Sequence, residues 1–272
     1  MDSAEYSKAN PKISGNGIEY DDPLMYSDEK IKEILRSMKG ETFRQPEVFL
    51  DWLFKKMESL GVHTMWLGHS VKVGELAEEA MQELAGYADF KKKKYPSIRM
   101  GGMLHDVGKI LAFVGEDREC RSLNGEIRMT DKDLKYMRLH TLVGRGFIEA
   151  MDPKGKIGIN RDEINECVLY HHEDWSGSGY PSKLKGEEIP KCARLLRVID
   201  FIDAAGDKTR LWHPTLSHHD IRERLKADEG VMYDPVFAGI FYGMLGKKQI
   251  HDYLHLSNGH NGSGAGAVKL IQ

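Results

Sequence analysis

Gly102-Met103-Leu104-His105-Asp106-Val107-Gly108-Lys109 sets an imidazole, a carboxylate and an ammonium inside an apolar run. Groups of this kind are costly to bury alone, so they demand partners. An imidazole nitrogen beside a carboxylate oxygen suits a divalent cation, and the carboxylate has a second oxygen with which to bridge to another ion. Lys109, one helical turn past Asp106, is placed to face an anion held by the metal. The stretch points to a metal-plus-phosphate site. The plainer reading is a chance dipeptide near a helix end with a last-turn cation. The surrounding chain has to decide between them.

Outward from this run the periodicity is helical on both sides. The stretch itself reads as a helix from about Ser97 to Phe113. Upstream, residues 62–84 carry Met65, Trp66, Val73, Leu76, Ala77, Ala80 and Leu84 on one stripe, and His69 falls on it. Two shorter helices precede it, Lys30 to Met38 and Pro46 to Leu60, behind a polar lead-in broken by Pro and Gly. Downstream, a charged loop over 115–129 leads to Thr130 and Asp133, which resemble a capping box opening a helix with His140 on its apolar face. Asp162 is expected to cap a helix through Ile164, Cys167 and Val168 whose stripe continues into His171 and His172. After the glycine-rich loop Asp174 to Pro181, Pro190 opens a helix on which Asp200 and Asp203 share an inward face. Further helices include Ile221 to Leu225 and Val236 to Leu245, before a Gly/Ser-rich tail. No alternating strand pattern appears, so the fold class is all-α.

Singly, an inward His or Asp is most simply a core residue satisfied by a carbonyl. Jointly, His69, His105, Asp106, His140, His171, His172 and Asp200 lie on apolar faces of five successive helices. Five imidazoles and two carboxylates match the needs of a two-metal site in which one carboxylate bridges, and helical bundles build such sites from facing helices.

Composition narrows the class. A formal charge of −3 gives no net pull toward duplex nucleic acid or an anionic membrane. No apolar run is long enough to span a bilayer, and the N-terminus has no secretory pattern, so a cytoplasmic protein is expected. Cys120, Cys167 and Cys192 are far apart with no Cys-x-x-Cys pair, which suggests neither a disulfide framework nor a thiolate zinc site.

The ordered series His69, His105-Asp106-Val-Gly-Lys109, His140, His171-His172-Glu173, Gly179-Tyr180-Pro181 and Asp200-Phe-Ile-Asp203-Ala204 resembles the HD-GYP family of the HD phosphohydrolase superfamily, over about residues 62–245. The resemblance implies an all-α HD-domain helical bundle with a short helical N-terminal extension. It divides the chain into that extension at 1–60, a catalytic domain at 61–256 and a flexible tail at 257–272. It also implies a metal-dependent phosphodiesterase that hydrolyses c-di-GMP to pGpG, and in some members on to GMP, through a metal-bound hydroxide.

Carried over by position, the metal ligands are His69, His105, Asp106, His140, His171, His172 and Asp200, with Asp106 bridging. Asp106, Lys109 and Asp203 form the catalytic set, Lys109 holding a phosphate oxygen and Asp203 orienting a ligand or taking a proton. Substrate contacts fall to Lys109, Gly179, Tyr180, Lys208 and Arg210. Two divalent ions, iron or manganese, are expected. Members with a third metal have a Glu where this chain has Met65, and a thioether is a poor ligand for a hard cation.

Other departures lie in Asp174 and Ser176, where the family has Arg and Asp, and in residues 205–212, where the family continues Leu-Thr-x-x-Arg-Pro-Tyr-Arg. The second change leaves a different cyclic dinucleotide, such as cyclic GMP-AMP, as an alternative substrate. A weakly catalytic c-di-GMP receptor acting on a signalling partner through the Gly179-Tyr180-Pro181 loop is a third reading, which the intact ligand set disfavours. Residues 1–60 are too few and irregular for a sensory domain, so input is expected from a partner, from the redox state of the metal, or from nothing. The N-terminal helices are expected to pack on the main domain, with a homodimer contact as the alternative.

Overall fold

The structure is a computed structural model that describes residues 12–14, 17–19, 46–59, 65–84, 97–109, 137–151, 160–207 and 215–246. Its helices are α1 (Pro46–Ser59), α2 (Met65–Leu84), α3 (Ile98–Leu104), α4 (His140–Met151), α5 (Arg161–Tyr170), α6 (Lys191–Gly206), α7 (His218–Ala227) and α8 (Pro235–Leu245). Single 3-10 turns lie at Val107–Lys109 and Gly186–Glu188. The architecture is the expected all-α one. Its only strand structure among the described residues is a short antiparallel pair, β1 (Lys12–Ser14) and β2 (Gly17–Glu19), with Ile13 opposite Ile18. The lead-in was expected to be irregular; here two three-residue segments separated by Gly15-Asn16 pair as a minimal ribbon.

Side-chain caps set the starts of α5, α7 and α8. Ser217 and Asp220 form a reciprocal capping box on α7, and Asp234 accepts from Val236 N–H at 2.8 Å with Pro235 in the first turn of α8. The start of α5 corrects the sequence reading. Asn160, not Asp162, is the N-cap, its side chain accepting from Glu163 N–H at 3.4 Å. Asp162 instead sits in the first turn, where a carboxylate favours the helix dipole.

The core joins α2, α6 and α8. Val73, Leu76, Ala77, Ala80 and Leu84 of α2 pack with Leu195, Leu196, Val198, Ile199 and Ile202 of α6 and with Phe237 and Phe241 of α8, all buried. Burying the apolar stripes at this spacing is what places His69 and Asp200, which lie on the same two helices, against one another.

The second correction concerns the opening stretch. The helix expected to reach Phe113 ends at Leu104, and the chain turns through His105-Asp106 into the Val107–Lys109 turn, closed by Lys109 N–H donating to Asp106 C=O at 2.9 Å. Gly108 shows why the turn lies where it does. A Cβ there would stand 1.9 Å from His140 C=O and 2.6 Å from Gly144 N, so only glycine lets this turn abut the start of α4. Likewise α5 ends at Tyr170, so His171 and His172 follow the helix instead of continuing its face. The expected helix over 30–38, the Thr130/Asp133 capping box, the 115–129 loop and the tail lie outside the described residues.

Candidate metal centre

The ends of α3 and α5, the start of α4, the N-terminal part of α2 and the middle of α6 bring the seven expected ligands together. His69, His105, Asp106, His140 and His171 are buried, and Asp200 has a side-chain exposure of 13%.

Each of four imidazoles is fixed by its outer nitrogen. Nδ1–H of His105 donates to Gly102 C=O at 2.6 Å, that of His140 to Met137 C=O at 2.5 Å, and that of His171 to Val168 C=O at 2.9 Å. His69 Nδ1–H donates to Asp203 Oδ2 at 2.6 Å. Such bonds select the tautomer whose Nε2 lone pair is free, and here every Nε2 points inward.

Asp106 divides the inward atoms in two. Its Oδ2 lies 3.3 Å from His105 Nε2 and 3.9 Å from His69 Nε2, and Asp200 Oδ1 closes this group at 2.9 Å from His69 Nε2 and 3.7 Å from His105 Nε2. Its Oδ1 lies 3.3 Å from His140 Nε2 and 3.8 Å from His171 Nε2. His172 completes the second group, whose donor atoms all lie within 4.8 Å of one another. Both groups could hold a metal ion.

The donor set fits a cation on this structure's own evidence. Ligand atoms adjacent on an ion with bonds near 2.0–2.1 Å stand roughly 3.0–3.4 Å apart, and Asp106 meets that spacing on each side, at 3.3 Å from His105 Nε2 and 3.3 Å from His140 Nε2. His140 Nε2 and His171 Nε2 approach to 3.2 Å. With each Nδ1 proton committed to a carbonyl, two lone pairs face each other, an arrangement that a shared cation relieves. His69 Nε2, His105 Nε2 and Asp106 Oδ1 are buried without a hydrogen-bond partner, a cost that coordination removes.

The electrostatics agree. Burial opposes the charged form of His105, but Asp106 and then Asp200 outweigh it and lift the imidazole to about 10. Burial pulls His171 the other way, down to about 4, and holds His172 well below its ordinary value. Against its own burial, Asp106 is kept ionised by His105 and Lys109, and Asp200 by the adjacent imidazoles of His105 and His69. The carboxylates thus have unmet demand for positive charge, and the neutral imidazoles have lone pairs to give.

The remaining expected residues are placed as follows. Lys109 donates to Asp106 Oδ2 in this structure, so its ammonium sits on the dividing carboxylate. Asp203 is buried and reaches the centre only through His69, which makes it a positioning residue. The ring of Tyr180 stacks on His172, centroids 4.8 Å apart at 23°. Gly179 is buried, and a Cβ on it would stand 2.2 Å from Asp174 N and 2.5 Å from Glu173 Cα. Its missing side chain lets the loop fold back on the end of α5 and so places Tyr180. Lys208 and Arg210 lie outside the described residues, as does the Met65 side chain.

Two residues that sequence reasoning did not assign hold this loop. Glu173 is buried and accepts from Ser182 N–H at 2.6 Å and Leu184 N–H at 3.1 Å. Arg197 of α6 donates to Asp174 Oδ1 at 2.8 Å and 3.2 Å. The departure at Asp174 therefore has a partner. Its only sequence signal was an Arg three positions before Asp200 on an otherwise inward face.

The family model described as HD domain matches residues 62–236, the span that supplies every ligand above. The chain belongs to the HD domain family. Within the HD domain, the ordered motifs bear out the HD-GYP resemblance, and named relatives agree. A probable cyclic di-GMP phosphodiesterase of Vibrio cholerae is 32% identical over 218 residues, 77% of this chain and 46% of the relative. A cyclic di-GMP phosphodiesterase of Thermotoga maritima is 28% identical over 231 residues, 80% of this chain and 58% of the relative. A 3'3'-cGAMP-specific phosphodiesterase 2 of Vibrio cholerae is 26% identical over 223 residues, 79% of this chain and 40% of the relative. The chain thus spans between 40% and 58% of the length of these relatives. Among the described residues, no helix is long and apolar enough to cross a membrane.

Proposed function

We propose that the chain is a metal-dependent phosphodiesterase that hydrolyses c-di-GMP to pGpG, with residues 61–256 as its catalytic domain. The observation that carries the reading is Asp106, which turns one carboxylate oxygen to each of two ligand groups. A single ion needs no such division. The reading takes two divalent ions, iron or manganese, one held by His69, His105, Asp106 and Asp200 and the other by Asp106, His140, His171 and His172, in a cytoplasmic protein.

When bound, the ions supply positive charge for the phosphate oxygens and acidify a water toward neutral pH. The chain's residues prepare the place for that chemistry. Carbonyl-fixed imidazoles keep their lone pairs inward, and Asp203 holds His69 against rotation. Lys109, 19% exposed at its side chain, stands at the edge of the centre and can pass from Asp106 to a phosphate oxygen as charge builds there. Tyr180 on His172 walls the second group, and burial keeps its phenol protonated. The reaction adds water across one P–O3' bond of the ring: the water oxygen stays on phosphorus and a proton goes to the leaving ribose oxygen.

A second substrate has support of its own, since one relative is named as specific for 3'3'-cGAMP. The test is chromatography of c-di-GMP and cyclic GMP-AMP incubated with anaerobically purified, metal-quantified protein. Formation of pGpG from c-di-GMP is expected. Turnover of cyclic GMP-AMP alone would move the assignment to the mixed dinucleotide, and no product from either at full metal loading would contradict it.

A further inference from the structure

Beside the ligand groups, Arg138 is a cation among the described residues that no role above uses. Arg138 stands two residues before His140, at the entry to α4. It is exposed. Its guanidinium carbon lies over the Tyr180 ring, 5.7 Å from the centroid. That ring in turn stacks on His172 and lies 6.4 Å from the His140 ring. Arg138 is therefore joined to the second ligand group through one aromatic ring, yet it makes no ion pair among the described residues. Other arginines contrast with it: Arg145, Arg194 and Arg197 each have a carboxylate partner at 2.9 Å or less.

A cyclic dinucleotide carries two phosphodiesters. One can occupy the centre, where Lys109 on Asp106 stands ready for its oxygens. The second phosphate must lie outside the ligand groups and needs a cation of its own. An arginine resting on an aromatic ring suits this need, because contact with the ring face leaves its in-plane N–H groups free for two phosphate oxygens.

We propose that Arg138, steadied by Tyr180, binds the phosphodiester of the substrate that is not being cleaved, and so selects cyclic dinucleotides over simple phosphodiesters. The inference rests on the phosphodiesterase reading above. The test compares wild type, Arg138→Gln and Arg138→Lys on c-di-GMP, on cyclic GMP-AMP and on bis(p-nitrophenyl) phosphate, which has one phosphodiester, with metal content measured for each protein.

For Arg138→Gln, KM for whichever dinucleotide the wild type cleaves is expected to rise roughly 10- to 100-fold, with kcat little changed. The aryl diester reaction and metal content stay at wild-type level, and Arg138→Lys recovers part of the loss. An equal loss on dinucleotide and aryl diester, or no change on either, overturns the proposal. If the wild type cleaves the aryl diester but neither dinucleotide, the substrate reading fails and this proposal falls with it, a result distinct from failure of Arg138 alone.

Discussion

Asp106 can serve both ligand groups because the residues around it are fixed from outside. His69 shows the device most plainly, its Nδ1–H held by buried Asp203 at 2.6 Å. Asp203→Asn keeps an acceptor near the ring but removes the charge that strengthens Nε2 as a donor. Metal affinity is expected to fall about 10- to 100-fold, read by competition with a chelator, while the melting temperature of the metal-free protein changes little. Unchanged affinity would remove Asp203 from the site. His105 gives a second prediction at this scale. Raised to about 10, its imidazole is protonated in the metal-free chain at pH 8, and a cation must displace that proton. Loading at pH 8 should release about one proton from this residue, measured by calorimetry in buffers of different ionisation enthalpy, and the release should shrink as pH approaches 10. The ligands were legible in the sequence because polar groups on apolar stripes are costly and conspicuous. Tyr180 on His172 was legible only through the family resemblance, since the contact depends on how a loop folds back.

At the scale of elements, the sequence named the helices better than their ends. Periodicity is a property of several turns, whereas termination depends on one close contact, as Gly108 against His140 shows. Gly108→Ala should part the turn from α4 and lower stability by about 1–3 kcal/mol, with metal loading lost alongside, as followed by thermal melting and metal analysis. Full stability with full metal content would contradict the packing described. The loop after α5 depends likewise on a residue that local pattern did not single out. Glu173 offers both oxygens to backbone N–H groups at 182 and 184, so Glu173→Gln turns an amide donor toward one of them. A cost of about 1–3 kcal/mol and faster proteolysis within 174–184 are expected. Arg197 with Asp174 was beyond local reading, because the partners are far apart in sequence and meet only when α6 packs beneath the loop.

For the whole molecule, the hydrophobic core and the metal centre are two consequences of one packing. The stripe that buries Leu196 and Ile199 on α6 also turns Asp200 toward His69 on α2. Leu196→Ala should cost about 2–5 kcal/mol and weaken metal binding without touching a ligand, which a metal-dependent melting series would show. The all-α class was legible because it follows from repeated patterns over many residues. A bridging carboxylate was expected from the residues and its assignment to Asp106 from the resemblance, while the division of the two groups by its two oxygens takes its geometry from the fold. The most direct test of that division is elemental analysis of metals per chain in anaerobically loaded wild type and Asp106→Ala, both shown to be folded by circular dichroism. The account predicts about two ions in the wild type and loss from both groups in the variant, since each shares this carboxylate. Two ions retained in Asp106→Ala would contradict it.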